Sequence, residues 1–224
     1  MRLLVVLFLS VCSAALAAVP PELEAALKTF RSDPPPGWSF TQTTTAEGRS
    51  TIERCDAALP GHARWSLVRK DDRAPTAAEI TDYAEARSRR SRTGTAPRIT
   101  EQFLLETLET VADDTERSTY RCRLRRGENR DDTAQHLRAT LVLHKASGVI
   151  ESITLANTEP FRPSFGLSIA ELKTEMIYAL PAAAGAPSLP QRVTSRVRGT
   201  VFWLKSLDSE MTVTFSNYER AVKK

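Results

Sequence analysis

Apolar and polar side chains alternate with a period of two over much of this chain, and no other feature restricts its fold as strongly. Leu137, Ala139, Leu141 and Leu143 interleave with Arg138, Thr140 and His144. Successive side chains of a strand point to opposite faces, so such a run builds a strand with one apolar face. Ser147-Gly148 turns the chain into a second run, residues 149–156, and the pair is the clearest hairpin in the sequence. Trp38, Phe40 and Gln42 alternate with Ser39, Thr41 and Thr43. Tyr120, Cys122 and Leu124 share a face, as do Leu172, Met176 and Tyr178 within residues 166–180. Val193, Val197, Val201 and Trp203 alternate with Thr194, Arg196, Arg198 and Thr200, and Met211, Val213 and Phe215 with Thr212, Thr214 and Ser216. Shorter runs at residues 50–56 and 64–69 follow turns at Glu47-Gly48 and Pro60-Gly61. Roughly eight to ten strands with mostly short connections imply an antiparallel sheet large enough to curl.

Two segments break the alternation. Leu23, Ala26, Leu27 and Phe30 recur at helical spacing over residues 22–31, and Asp33-Pro34-Pro35-Pro36-Gly37 ends that helix. Thr76 stands three residues before Glu79, the spacing of a capping box, ahead of an Ala-, Glu- and Arg-rich helix at residues 77–90. The basic end of this helix, Arg87 to Arg92, suits the negative pole of its dipole. Residues 91–97 read as a polar, flexible loop and residues 126–133 as a charged one, while residues 100–108 fit either a short helix or the lead-in to a strand. The expected fold is mainly β with a few helices: one β-rich domain over residues 18–224, a curled antiparallel sheet forming an unclosed half-barrel, with helices over its concave face.

The N-terminus predicts where this domain works. Arg2 precedes an apolar run, residues 3–9, and Ala15-Leu16-Ala17 fits the A-x-A rule for cleavage after Ala17. The run is shorter than the roughly 20 residues that span a bilayer, and Pro20-Pro21 follows. Residues 1–17 therefore read as a secretory signal peptide, and the protein is expected in the periplasm. Cys12 raises the alternative of lipidation, but Val11 stands where lipoprotein signals carry a small residue. An even pair of cysteines, Cys55 and Cys122, remains beyond the leader, and export predicts a disulfide between them. In the chain-entropy account, closing a loop of that length stabilises by roughly 4 kcal/mol.

The chain has 31 basic and 27 acidic residues, a formal charge of +4, one basic residue of which lies in the leader. That balance does not call for nucleic acid, and export argues against it. The histidines, His62, His136 and His144, have no zinc-ligand spacing, no G-x-S-x-G is present, and the paired acids Asp71-Asp72, Asp113-Asp114 and Asp131-Asp132 read as turn chemistry. No cofactor is implied. A Ser-His-Asp triad depends on geometry that spacing does not reveal.

Two basic runs stand out, Arg87 to Arg92 and the set Arg121, Arg123, Arg125, Arg126 and Arg130. In the second, Arg121 and Arg123 alternate with Cys122 and Leu124, leaving one strand face positive. It reads as a solvated face or as a contact for anionic headgroups. The apolar faces also have two readings. Trp65, Leu67, Leu141, Leu143, Val197, Val201 and Trp203 either fill a core or line a cavity for an apolar ligand.

A signal peptide, an N-terminal helix, a long antiparallel meander interrupted by a helix, and a last strand ending Val213-Thr214-Phe215-Ser216-Asn217-Tyr218 resemble uncharacterised Gram-negative periplasmic proteins with the fold of the outer-membrane lipoprotein carriers LolA and LolB. The resemblance implies an unclosed β-barrel with helices as a lid over a hydrophobic cavity. The function it implies is a non-catalytic periplasmic carrier for a lipid, a lipoprotein or another hydrophobic envelope ligand, with peripheral contact to the membrane. In that reading Arg121, Arg123 and Arg125 would meet headgroups. The alternatives are an envelope protein-interaction or scaffold module with a filled core, and a hydrolase with an unrecognised site.

Overall fold

The computed structural model describes residues 19–91, 99–126, 132–183, 186–202 and 204–221. The expected signal peptide, the polar loop beyond Ser91, Arg130 and Trp203 lie outside these residues. The alternating runs become β1 (Trp38–Ala46), β2 (Arg49–Cys55), β3 (Trp65–Lys70), β4 (Phe103–Asp113), β5 (Arg117–Leu124), β6 (Leu137–His144), β7 (Val149–Asn157), β8 (Phe161–Ser164), β9 (Leu167–Ala179), β10 (Leu189–Val201) and β11 (Lys205–Arg220). They form one open antiparallel sheet in the order β3-β2-β1-β11-β10-β9-β7-β6-β5-β4, with β8 paired to β9.

The topology follows from the chain order. β1 to β3 run outward to one edge. The chain then crosses through α2 (Ala77–Ser91) to the opposite edge at β4 and meanders back to β11, which pairs with β1. Ten strands laid flat would span roughly 43 Å. A crossover that joins the two edges suits a curled, half-barrel sheet better than a flat one.

One face of the sheet carries the core. Along β6 the burial alternates strictly, with Leu137, Ala139, Leu141 and Leu143 buried. Register carries this face across the sheet: Leu141 opposes Tyr120 on β5 and Ile153 on β7, and Ile153 opposes Met176 on β9. Met176 opposes Val193, Val193 opposes Val213, and Val213 opposes Thr44 on β1. The same parity reaches Phe40, Cys55 and Trp65 at the far edge. The outer face is charged. Arg196 opposes and pairs with Glu210, and Arg198 bridges Glu171 and Asp208.

Both longer helices lie on the core face, over different halves. α1 (Pro21–Thr29) contributes buried Leu23 and Ala26 to the cluster that holds Leu141, Leu143, Ile150 and Ile153. Each leucine or isoleucine of this cluster removed from water contributes about 1.5–3 kcal/mol. Tyr120 Oη and Glu22 meet at 3.3 Å, and Phe30 packs edge-on to Tyr178 at 5.0 Å between centroids. α2 covers β2 and β3. Its start is the capping box expected from sequence: Glu79 N–H donates to Thr76 Oγ1 (3.3 Å) and Thr76 N–H to Glu79 Oε2 (2.9 Å).

The disulfide expectation is corrected. Cys55 and Cys122 are separate, buried thiols. They share the core face, but β1, β11, β10, β9, β7 and β6 stand between β2 and β5. A disulfide needs Cα atoms within about 7 Å, and β2 and β5 are seven strand-to-strand steps, each of about 4.8 Å, apart along the sheet. The ambiguous segment at residues 100–108 is both things in turn, a 3₁₀ helix at Ile99–Gln102 and then β4. β8 was not visible in the sequence, because Pro160 and Pro163 read as breakers; a strand that ladders on one side only tolerates proline. A single helical turn, α3 (Thr133–His136), starts where the expected charged loop ends.

Candidate ligand pocket

A cavity of about 670 Å³ opens where the end of α1 meets the sheet. Ala26, Thr29, Phe30 and Arg31 form one wall. The β6–β7 turn, with Val149 and Ile150, forms the floor, and Pro181, Ala186 and Pro187 of the β9–β10 connection close the side. The size lies within the range of about 300–1,000 Å³ found for small-molecule sites. Local sequence explains each wall. The three prolines after Asp33 stop α1 so that Phe30 stands at its last turn, and Ser147-Gly148 makes a tight turn with Gly148 at φ +64°.

Polar groups at the mouth are few. Arg31 is exposed and has no hydrogen bond or ion pair among the described residues. Ser147 Oγ and His144 Nδ1 lie 2.7 Å apart, and Ser147 N–H also donates to that nitrogen at 3.3 Å. Both bonds stay within one turn, and among the described residues no carboxylate bonds the ring, so the pair lacks the third member of a triad. Tyr178 sits behind Phe30. Its buried hydroxyl has no partner among the described residues, and burial, with Asp33 nearby, pushes its pKa up.

Of the residues singled out from sequence as an apolar face, the described ones do not line this pocket. Leu141 and Leu143 are fully buried beneath α1 and are core. Val197 and Val201 lie half-buried on β10, where neither helix covers the sheet. Trp65 and Leu67 lie half-buried on β3 beside α2. Arg121 and Arg123 project from the outer face of β5, and Arg121 pairs with Glu109 at 3.5 Å. Arg125 lies past the end of β5, its N–H bonded to Gln102. None of the three stands at the pocket mouth.

Sequence reasoning took Arg87 as part of the basic end of α2, placed against the negative pole of its dipole. It turns inward instead, with its guanidinium on Glu53 and 4.0 Å above the Trp65 ring. Glu53 is itself buried and takes a hydrogen bond from Gln42 Nε2 at 2.9 Å. Glu53 sits at an inward position of β2, two residues before Cys55, which is the sequence signal that could have exposed this contact. Among the described residues no group of His, Cys, Asp and Glu is arranged to hold a metal, and no helix is long and apolar enough to cross a membrane. No protein-family model, curated protein or solved structure matches the chain.

Proposed function

We propose that this protein binds and carries an amphiphile with an acyl chain and an anionic head, in the periplasm and without catalysis. The observation that carries the reading is the pocket of about 670 Å³ at the end of α1, walled by Phe30, Ile150 and Pro187, with Arg31, which has no ion pair among the described residues, also on its wall. An acyl chain would lie against Phe30, Ile150 and Pro187. The guanidinium would bond a carboxylate or phosphate, a strong charge-assisted pairing. The open sheet with helices on one face is the arrangement that the resemblance to lipoprotein carriers implies, and it supports the same class of ligand.

The test is uptake of a fluorescent fatty acid by the purified protein. Saturable binding near one per chain is expected, weakened about tenfold or more in Arg31→Glu through the lost charge-assisted bond. Ala186→Trp, which places a large ring in the cavity, should abolish it. Absence of saturable uptake sinks the proposal. A second reading, an envelope interaction module, is favoured by the filled core under α1, where Leu23, Leu141 and Leu143 are 0 % exposed. That reading expects no uptake and an unchanged protein in both variants.

A further inference from the structure

We infer that the free end of the β9–β10–β11 segment is a docking site for an anionic lipid bilayer. Register shows that these strands project beyond their neighbours. Pairing of β11 with β1 stops at Met211, while its pairing with β10 continues to Lys205. Pairing of β9 with β7 stops at Lys173, while its pairing with β10 continues to Leu167. The last six or so residues form a tongue about 20 Å long, flanked only by β8.

The end of this tongue is apolar and open to solvent. Phe165 is 87 % exposed, Phe202 53 % and Leu204 93 %. Large apolar side chains clustered at such exposure on a protruding tip mark an interaction site. The tip is also built. Phe202 N–H bonds Gly166 O, and the Phe202 backbone is held at φ +47°, a conformation costly for a bulky residue. Its ring lies over Gly166, where any Cβ would come within 2.5 Å of it, and meets Phe165 edge-on at 6.3 Å. The two turns are thereby fastened together with their apolar side chains displayed.

Charge selects the partner. Residues 162–168 and 199–206 contain Arg162 and Lys205 and no acidic residue. Both cations are exposed and have no ion pair among the described residues. The acidic residues further back, Glu171, Asp208 and Glu210, are already paired with Arg196 and Arg198. An apolar tip with two exposed cations beside it in sequence, Arg162 and Lys205, matches the boundary between acyl chains and anionic headgroups, where apolar insertion and electrostatic attraction add. The pocket at the end of α1 lies at the opposite ends of β9 and β10, roughly 40 Å away along strands of this length. Docking through the tongue would therefore leave the pocket mouth in the aqueous space. This inference does not rest on the pocket binding a ligand.

Flotation of the full exported chain tests it, using vesicles of equal parts phosphatidylethanolamine and phosphatidylglycerol beside vesicles of phosphatidylcholine. The chain should float with the anionic vesicles, and less so as salt rises. Phe165→Ser with Leu204→Ser should cut binding by about tenfold or more without changing the melting temperature, since both side chains are solvated. Arg162→Glu with Lys205→Glu should remove the salt-dependent part. Wild-type flotation in the serine variant would overturn the proposal. So would a wild-type chain that stays with the soluble fraction; if it self-associates through the same residues, the tongue meets a second copy instead. Vesicle binding without fatty-acid uptake would leave this inference standing and remove the carrier reading.

Discussion

The guanidinium of Arg87 lies 4.0 Å above the ring of Trp65 while it bonds the buried carboxylate of Glu53. This contact fastens α2 to the β2–β3 edge of the sheet, and Tyr83 shares it: its hydroxyl accepts a hydrogen bond from Arg87 Nε at 3.0 Å, and its ring lies 5.4 Å from the same guanidinium. Their side chains are only 18 % and 9 % exposed. Breaking one partner of a shielded pair leaves the other charge uncompensated. Arg87→Ala is expected to cost about 3 kcal/mol. Adding Glu53→Gln to Arg87→Ala should recover a large part of that loss, because the charge is gone and the amide can still bond Gln42. Urea unfolding midpoints of the single and double variants check both statements. Equal midpoints for wild type and Arg87→Ala would show that α2 is held by other contacts.

The orphaned hydroxyl of Tyr178 makes an opposite prediction. It is buried without a partner among the described residues, beside Phe30 and behind the pocket. An unmet buried hydroxyl costs about 1–3 kcal/mol. Tyr178→Phe should therefore stabilise the ligand-free protein, by about 1 kcal/mol, with the ring packing kept. A melting temperature that falls instead would mean that the hydroxyl has a partner in solution.

Much of the architecture was legible because period-two patterning reports on backbone and face together. The hairpin of β6 and β7, the face shared by Leu172, Met176 and Tyr178, and the capping box at Thr76 and Glu79 all follow local rules. What was not legible depends on distant pairing. Cys55 and Cys122 have the right parity for one face, but parity does not say how many strands lie between. Leu141 and Leu143 have the pattern of either a core or a cavity wall, and only the position of α1 decides for core. The pocket is made of a helix end, a turn and a proline-rich connection, and no such mixture has a period to read. Arg87 read only as part of a helix end that complements its dipole because its partner, Glu53, is 34 residues away in sequence.

Acid should loosen both the start of α2 and the β4–β5 turn. Arg73, the Thr76 N–H and Lys70 hold Glu79 well below the usual carboxylate range. Ser118 and then Lys145 lower Asp113, and the N–H groups of Arg117 and Glu116 lower Asp114. A group whose pKa is depressed in the folded state stabilises fully above its unfolded value, about 4 for these carboxyls. That contribution is lost as pH falls through the folded value. Stability is expected to hold from neutral pH to about 4 and to decline below it. Glu79→Gln should be less stable at neutral pH and show a shallower decline in acid. Parallel curves for the two proteins would remove Glu79 from the account.

The free thiols give the most direct check on the sheet order. Burial pushes Cys55 above the ordinary thiol range and Cys122 up to about 11, so neither is a thiolate near neutrality. Reactivity needs the thiolate, and access to both sulfurs is closed, at 3 % and 1 % exposure. A thiol reagent at pH 8 should leave the native protein untouched and label both cysteines once denaturant opens the sheet, with no reductant present. Cys122→Ala should cost about 1 kcal/mol for a small buried group lost, and Cys122→Ser more, because its hydroxyl would be buried in the apolar cluster with Tyr120, Ala139 and Leu124. If the denatured protein offers no thiols until it is reduced, the two halves of the sheet meet in solution, and the order that separates β2 from β5 by six strands is wrong.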